Sequence, residues 1–99
     1  MKELNKKEIF DKIVSFLRSY NASKIAVFGS YANDDYTGNS DIDIIVDFMD
    51  QISFLKFVGI QQKLSDYLGI EVDLLTEDSV SPYLLPQIKK EMKILYMFQ

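Results

Sequence analysis

From Asp41 to Phe48 the chain alternates between acidic and apolar positions, and no other segment limits the possible folds as strongly. Ile42, Ile44, Val46 and Phe48 fall on one face of an extended chain, and Asp41, Asp43, Ile45 and Asp47 on the other. Residues two apart on a strand point the same way, so the pattern predicts a β-strand with one face packed and the other holding carboxylates. Ile70-Glu71-Val72-Asp73-Leu74-Leu75 repeats the logic, with Ile70, Val72 and Leu74 inward and Glu71 and Asp73 facing away. A third strand is predicted at Lys24–Phe28, a short apolar run closed by Gly29.

Helical periodicity fills the spaces between. Ile9, Phe10, Ile13, Val14 and Leu17 recur at helical spacing, Asn5 and Glu8 form a capping-box pattern, and the helix should end near Tyr20-Asn21. A short helix can open at Ser30–Ala32, followed by a loop over Asn33–Asn39. A second long helix is expected from about Ser53 to Leu68, stopped by Gly69. A third lies between Ser81 and Met92, with Pro82 and Pro86 tolerable only near its beginning. Ile94–Phe98 fits a helix end, an edge strand or a contact segment. The order α-β-(α)-β-α-β-α over residues 1–99 predicts one compact α/β or α+β domain.

Composition then removes whole classes of function. The chain has no His and no Cys, which excludes a zinc finger, a disulfide scaffold, a thiol nucleophile and a Ser-His-Asp triad. Eleven bases against fifteen acids leave a net charge of −4, which argues against a sequence-independent grip on nucleic-acid phosphates. No apolar run approaches the ~20 residues of a membrane helix, and the charged N-terminus is no signal core, so a cytoplasmic protein is expected. Only hard metals bound by carboxylates remain plausible.

The acids are also unevenly placed. Between Lys24 and Lys56 lie Asp34, Asp35, Asp41, Asp43, Asp47 and Asp50 with no base among them. The bases gather at the ends instead: Lys2, Lys6, Lys7 and Lys12, then Lys89, Lys90 and Lys93. Asp34, Asp35 and Asp50 read as ordinary solubilising loop acids. Asp41, Asp43 and Asp73 differ, because strand periodicity puts them on the face away from the core. If their strands are neighbours, three carboxylates meet, and like charges so close usually hold a divalent cation. Spacing alone leaves a second reading open, three unrelated surface aspartates on half-exposed strands. Gly29-Ser30, where a strand meets a helix start, suits the approach of a phosphate to backbone amides, although an ordinary turn would look the same.

Taken together, Phe28-Gly29-Ser30 and the later Ser40-Asp41-Ile42-Asp43-Ile44 resemble the two-part signature of the DNA polymerase beta-like nucleotidyltransferase superfamily. The chain length, the N-terminal helix and the Glu71-Val72-Asp73-Leu74 strand resemble its smallest members, the minimal nucleotidyltransferases (MNT proteins). The resemblance implies a palm-like fold, a small mixed sheet flanked by helices. It also implies that Gly29, Ser30 and Ser40 contact a nucleoside triphosphate, ATP, while Asp41, Asp43 and Asp73 bind two Mg²⁺ and carry the catalysis. MNT proteins typically pair with a HEPN-domain protein, so the resemblance implies an antitoxin that transfers AMP from ATP to a tyrosine of that partner. Direct nucleic-acid or membrane binding is not expected, and homo-oligomerisation stays open.

One departure matters. The family often reads Gly-Ser-x-Ala-Arg-Gly, whereas here Asn33 and Asp34 follow Tyr31 and Ala32. The change removes a guanidinium suited to phosphate and supports an alternative, a catalytically weak or inactive antitoxin that acts by binding alone. A chain this short also leaves no room for a second substrate-binding lobe, so the acceptor surface is expected from another chain. Ile94–Phe98, Tyr83 and the C-terminal lysines are candidates for that contact, with packing of the tail on its own core as the alternative.

Overall fold

A computed structural model describes residues 5–33, 37 and 40–98. Helix α1 runs Lys6–Arg18, and Asn5 caps it by accepting a 2.8 Å hydrogen bond from the Glu8 amide. Strand β1 spans Ala22–Phe28, entered through Asn21 at a φ of 66°. Strand β2 spans Ile42–Phe48. Helix α2 follows at Phe54–Leu68, capped by Ser53 and stopped by Gly69 in the left-handed conformation. Strand β3 covers Val72–Leu75, helix α3 Leu85–Glu91 and strand β4 Lys93–Met97. Among the described residues no helix is long and apolar enough to cross a membrane.

The four strands form one mixed sheet in the order β3-β2-β1-β4. β1 is antiparallel to both β2 and β4, and β2 is parallel to β3. One face carries Ile25, Val27, Ile42, Ile44, Val46, Val72 and Leu74, packed against Ile9, Phe10, Ile13 and Leu17 of α1 and Ile60, Leu64 and Leu68 of α2. Parallel pairing of β2 and β3 requires a crossover, and α2 supplies it while burying its apolar stripe on that face.

Three expectations change in detail. Ile94–Phe98 had three readings; residues 93–97 form β4, the edge strand beside β1. α3 begins only at Leu85, with Pro86 in its first turn where its missing N–H costs nothing, and Ser81–Leu84 is turn. β3 starts at Val72, although Ile70 still packs at the margin of the core and the Glu71 carbonyl still accepts from the Ile42 amide at 2.9 Å. Within the predicted loop Asn33–Asn39, residues 34–36 and 38–39, Asp34 and Asp35 among them, lie outside the described residues, as does Lys2.

The acid-bearing face is not simply open, as the alternation suggested. Ala26 and Ile45 on that face are fully buried. A 3-10 turn at Glu77–Ser79 packs against β2, and Glu77 ties the C-terminal segment down by accepting from Lys24 of β1 at 3.1 Å and pairing with Lys89 of α3 at 3.2 Å. Truncation of Ile45 to Ala should therefore cost about 2–5 kcal/mol, as at a true core position. A urea midpoint shift of surface-mutation size would contradict the second packed layer.

This network has a pH signature. Hydrogen bonds from Lys24 and Lys89 hold the Glu77 carboxyl below its ordinary value of 4.5. A lowered acid contributes stability that is present above its unfolded value and is lost as pH falls through the folded one. The stability difference between wild type and Glu77→Gln should therefore shrink as pH drops below 4.5, as followed by denaturant unfolding. Asp47, raised by burial and by Glu77, has the opposite sign in the wild type.

Candidate active site

The site is assembled at the end of the sheet where β1 stops and β2 and β3 begin. β1 reaches Phe28 in extended conformation, and Gly29 then turns the chain at a φ of +70° into a 3-10 turn over Gly29–Tyr31. Tyr31, only 4% exposed, anchors this turn in the core. The amides of Ala32 and Asn33 both donate to the Gly29 carbonyl, at 3.1 and 3.2 Å. Ser30 is thereby held partly buried at the head of the turn.

Strand register does the rest. Asp43 stands opposite Phe28 on β1 and opposite Asp73 on β3, so the Gly29 turn and two acids line up across three strands. The Asp43 carboxylate lies against Gly29 so closely that a Cβ there would sit 2.6 Å from its Oδ2. Gly29 is required twice over, for its backbone angle and for the space its missing side chain leaves.

The Asp43 carboxyl is pushed up to about 6, first by burial, then by the charge and hydrogen bond of Asp73, and least by Asp41. Asp73 is exposed on the short strand β3. Asp41, also exposed, precedes β2 by one residue and is two residues from Asp43. The fold thus brings Asp43 and Asp73 together, with Asp41 acting on Asp43 by charge.

Ser40 stands at the entry to Asp41. Its Oγ accepts from the Thr37 amide at 2.7 Å and its own amide donates to the Thr37 carbonyl at 3.0 Å, which shapes the chain entering Asp41. Asn33 is exposed just after the turn. Lys24 stands opposite Asp47, toward the other end of β1, and donates to Glu77.

The donor set is entirely carboxylate oxygen, which suits a hard cation such as Mg²⁺. Among the described residues no three acidic side chains form a ready-made metal cage. Of the three acids expected to meet, Asp43 and Asp73 are the pair brought into hydrogen-bonding contact. Burial raises Asp43 most, and the repulsion by Asp73 and Asp41 that adds to it is what a bound cation would relieve. Sequence reasoning missed the Gly29–Asp43 contact, because the register of two antiparallel strands leaves no local signal.

The family model for the nucleotidyltransferase domain matches residues 7–95. The chain is 42% identical over 95 residues to a candidate protein adenylyltransferase of Methanocaldococcus jannaschii, covering 93% of this chain and 97% of that one. Among solved structures, a toxin–antitoxin complex with AMP-PNP matches at a TM-score of 0.80 and 34% identity, over 97% of this chain and 76% of the other. The MNT antitoxin complex with a tri-AMPylated HEPN toxin of Shewanella oneidensis matches at 0.77 and 30% identity, over 96% and 75%. With the family model matching residues 7–95 and a 42% identical relative covered over 97% of its length, the chain belongs to the nucleotidyltransferase domain family of enzymes, as one of its minimal members.

Proposed function

We propose that this chain transfers AMP from ATP to a tyrosine hydroxyl of a HEPN-domain partner and acts as the antitoxin of that pair. The observation that carries the reading is the Asp43 carboxylate seated on Gly29 and coupled to Asp73. The AMP-PNP complex and the tri-AMPylated HEPN toxin of the relatives support the choice of nucleotide and acceptor.

In this mechanism the turn at Gly29-Ser30 binds the triphosphate through backbone amides and a hydroxyl. Asp41, Asp43 and Asp73 would hold two Mg²⁺, which supply neutralisation of the phosphate charge and a lowered pKa for the attacking hydroxyl. The acceptor oxygen bonds to the α-phosphorus, the bond to the α–β bridging oxygen breaks, and pyrophosphate leaves. The hydroxyl proton passes to Asp73, the more exposed carboxylate of the Asp43–Asp73 pair. Catalysis of this kind is mostly positioning and electrostatics, so the lack of His is no obstacle.

The test is label transfer from α-labelled ATP and Mg²⁺ to the HEPN-domain protein of the same genome. Wild type should label it, and the double variant Asp41→Ala/Asp43→Ala should not; equal labelling would remove the reading. Exposed Asn33 in the arginine position favours a second reading, neutralisation by complex formation alone. In that case the same double variant still neutralises the toxin in cells.

A further inference from the structure

Lys6 and Lys7 from the start of the sequence and Lys93 from near its end line one groove in the fold. β4 pairs with β1 so that Lys93 stands opposite Val27, two residues before Gly29. The first turn of α1 lies beside it, and a groove of about 510 Å³ opens between α1 and β4. Its apolar wall is formed by Phe10, Val14 and Ile94, and its cations are Lys6, Lys7 and Lys93. The Lys6 and Lys93 ammonium groups lie 5.4 and 5.5 Å from the centroid of the Phe10 ring, which fixes both at the groove. Asp11 is the acid in the lining, and it is paired with Lys7 at 3.5 Å. Leu95, which also lines the groove, and Tyr96 pack from β4 against the core under α1, whereas Ile94 and Met97 stand opposite Ala26 and Lys24.

Among the described residues the lining holds three lysines and one acid, on a chain of charge −4, and the groove opens on the α1 side of the sheet at the end that carries Gly29 and Asp43. We propose that this groove seats an acidic, apolar-anchored segment of the protein that receives AMP, and so delivers the acceptor hydroxyl to the site. This rests on the reading under Proposed function. Charge complementarity selects the occupant. A nucleic acid would meet the net negative charge of the rest of the chain, and a symmetric second copy would set lysine against lysine.

The experiment compares wild type with Lys6→Glu/Lys7→Glu/Lys93→Glu, after circular dichroism shows the variant folded. Affinity for the HEPN-domain protein of the same genome is measured at two salt concentrations, and affinity for Mg²⁺–ATP alongside. Partner affinity should fall about tenfold or more at low salt, with a shallower salt dependence in the variant and unchanged nucleotide binding. Unchanged partner affinity overturns the proposal. So does a matching loss of nucleotide affinity, which would assign the groove to ATP, or a change in self-association alone, which would assign it to a second copy. If wild type binds the partner in this charge-dependent way yet transfers no AMP, the catalytic reading fails and the groove assignment stands.

Discussion

Asp43→Asn should stabilise the metal-free protein while reducing AMP transfer by about a thousandfold or more. The carboxyl is raised from 3.8 to about 6, so at neutral pH it is held ionised against burial and against the charge of Asp73. An amide of the same shape removes that cost. Much of the group still reaches water, which screens the interaction, so the gain is discounted to about 1 kcal/mol, or roughly 4–8 °C for a domain this size. The sign follows from linkage. A raised acid contributes stability that is fully present below 3.8 and is lost as pH rises through about 6. The advantage of the variant should therefore appear between those values and persist above them. Calorimetry with and without Mg²⁺ checks both halves: Mg²⁺ should raise the wild-type midpoint and leave the variant nearly unmoved. A variant that is destabilised and still responds to Mg²⁺ would place the cation elsewhere.

Gly29→Ala should cost both stability and catalysis, and a second glycine provides the control. Gly29 and Gly69 share a φ of +70°, so Ala at either place pays the left-handed backbone penalty of about 1 kcal/mol. At Gly69 nothing lies within 4 Å of the added carbon, whereas at Gly29 it would meet Asp43 Oδ2 at 2.6 Å. Gly69→Ala should thus lower the melting temperature modestly and leave transfer intact. Gly29→Ala must push the carboxylate away, and a displacement near 1 Å in a catalytic group costs about a hundredfold in rate. Equal activity in the two variants would mean that the contact has no catalytic role.

How much of this was legible depended on whether the signal was local. Asn5, Ser53 and Gly69 announced helix ends, because a cap acts within three or four residues of itself. The alternation from Asp41 to Phe48 set which side chains share a face of β2, and the neighbouring acid Asp73 followed from the same period. Ile45 went the other way. Period two says which face it shares, and says nothing about the Glu77–Ser79 turn that covers that face from another part of the chain. β4 was ambiguous because Lys93–Met97 is too short for its period to separate helix from strand; pairing with β1 decided it. The Gly29–Asp43 contact and the groove beside Phe10 both depend on strand register, a long-range property.

The proposed chemistry at the Gly29, Asp43 and Asp73 row moves a nucleotidyl group and not a phosphoryl group. The direct measurement uses ATP labelled at the α-phosphate in one tube and at the γ-phosphate in another, each with Mg²⁺, this chain and its HEPN-domain partner. The prediction is label on the partner from the α position only, with labelled pyrophosphate released from the γ position. Label on the partner from the γ-phosphate, or from neither, would contradict it.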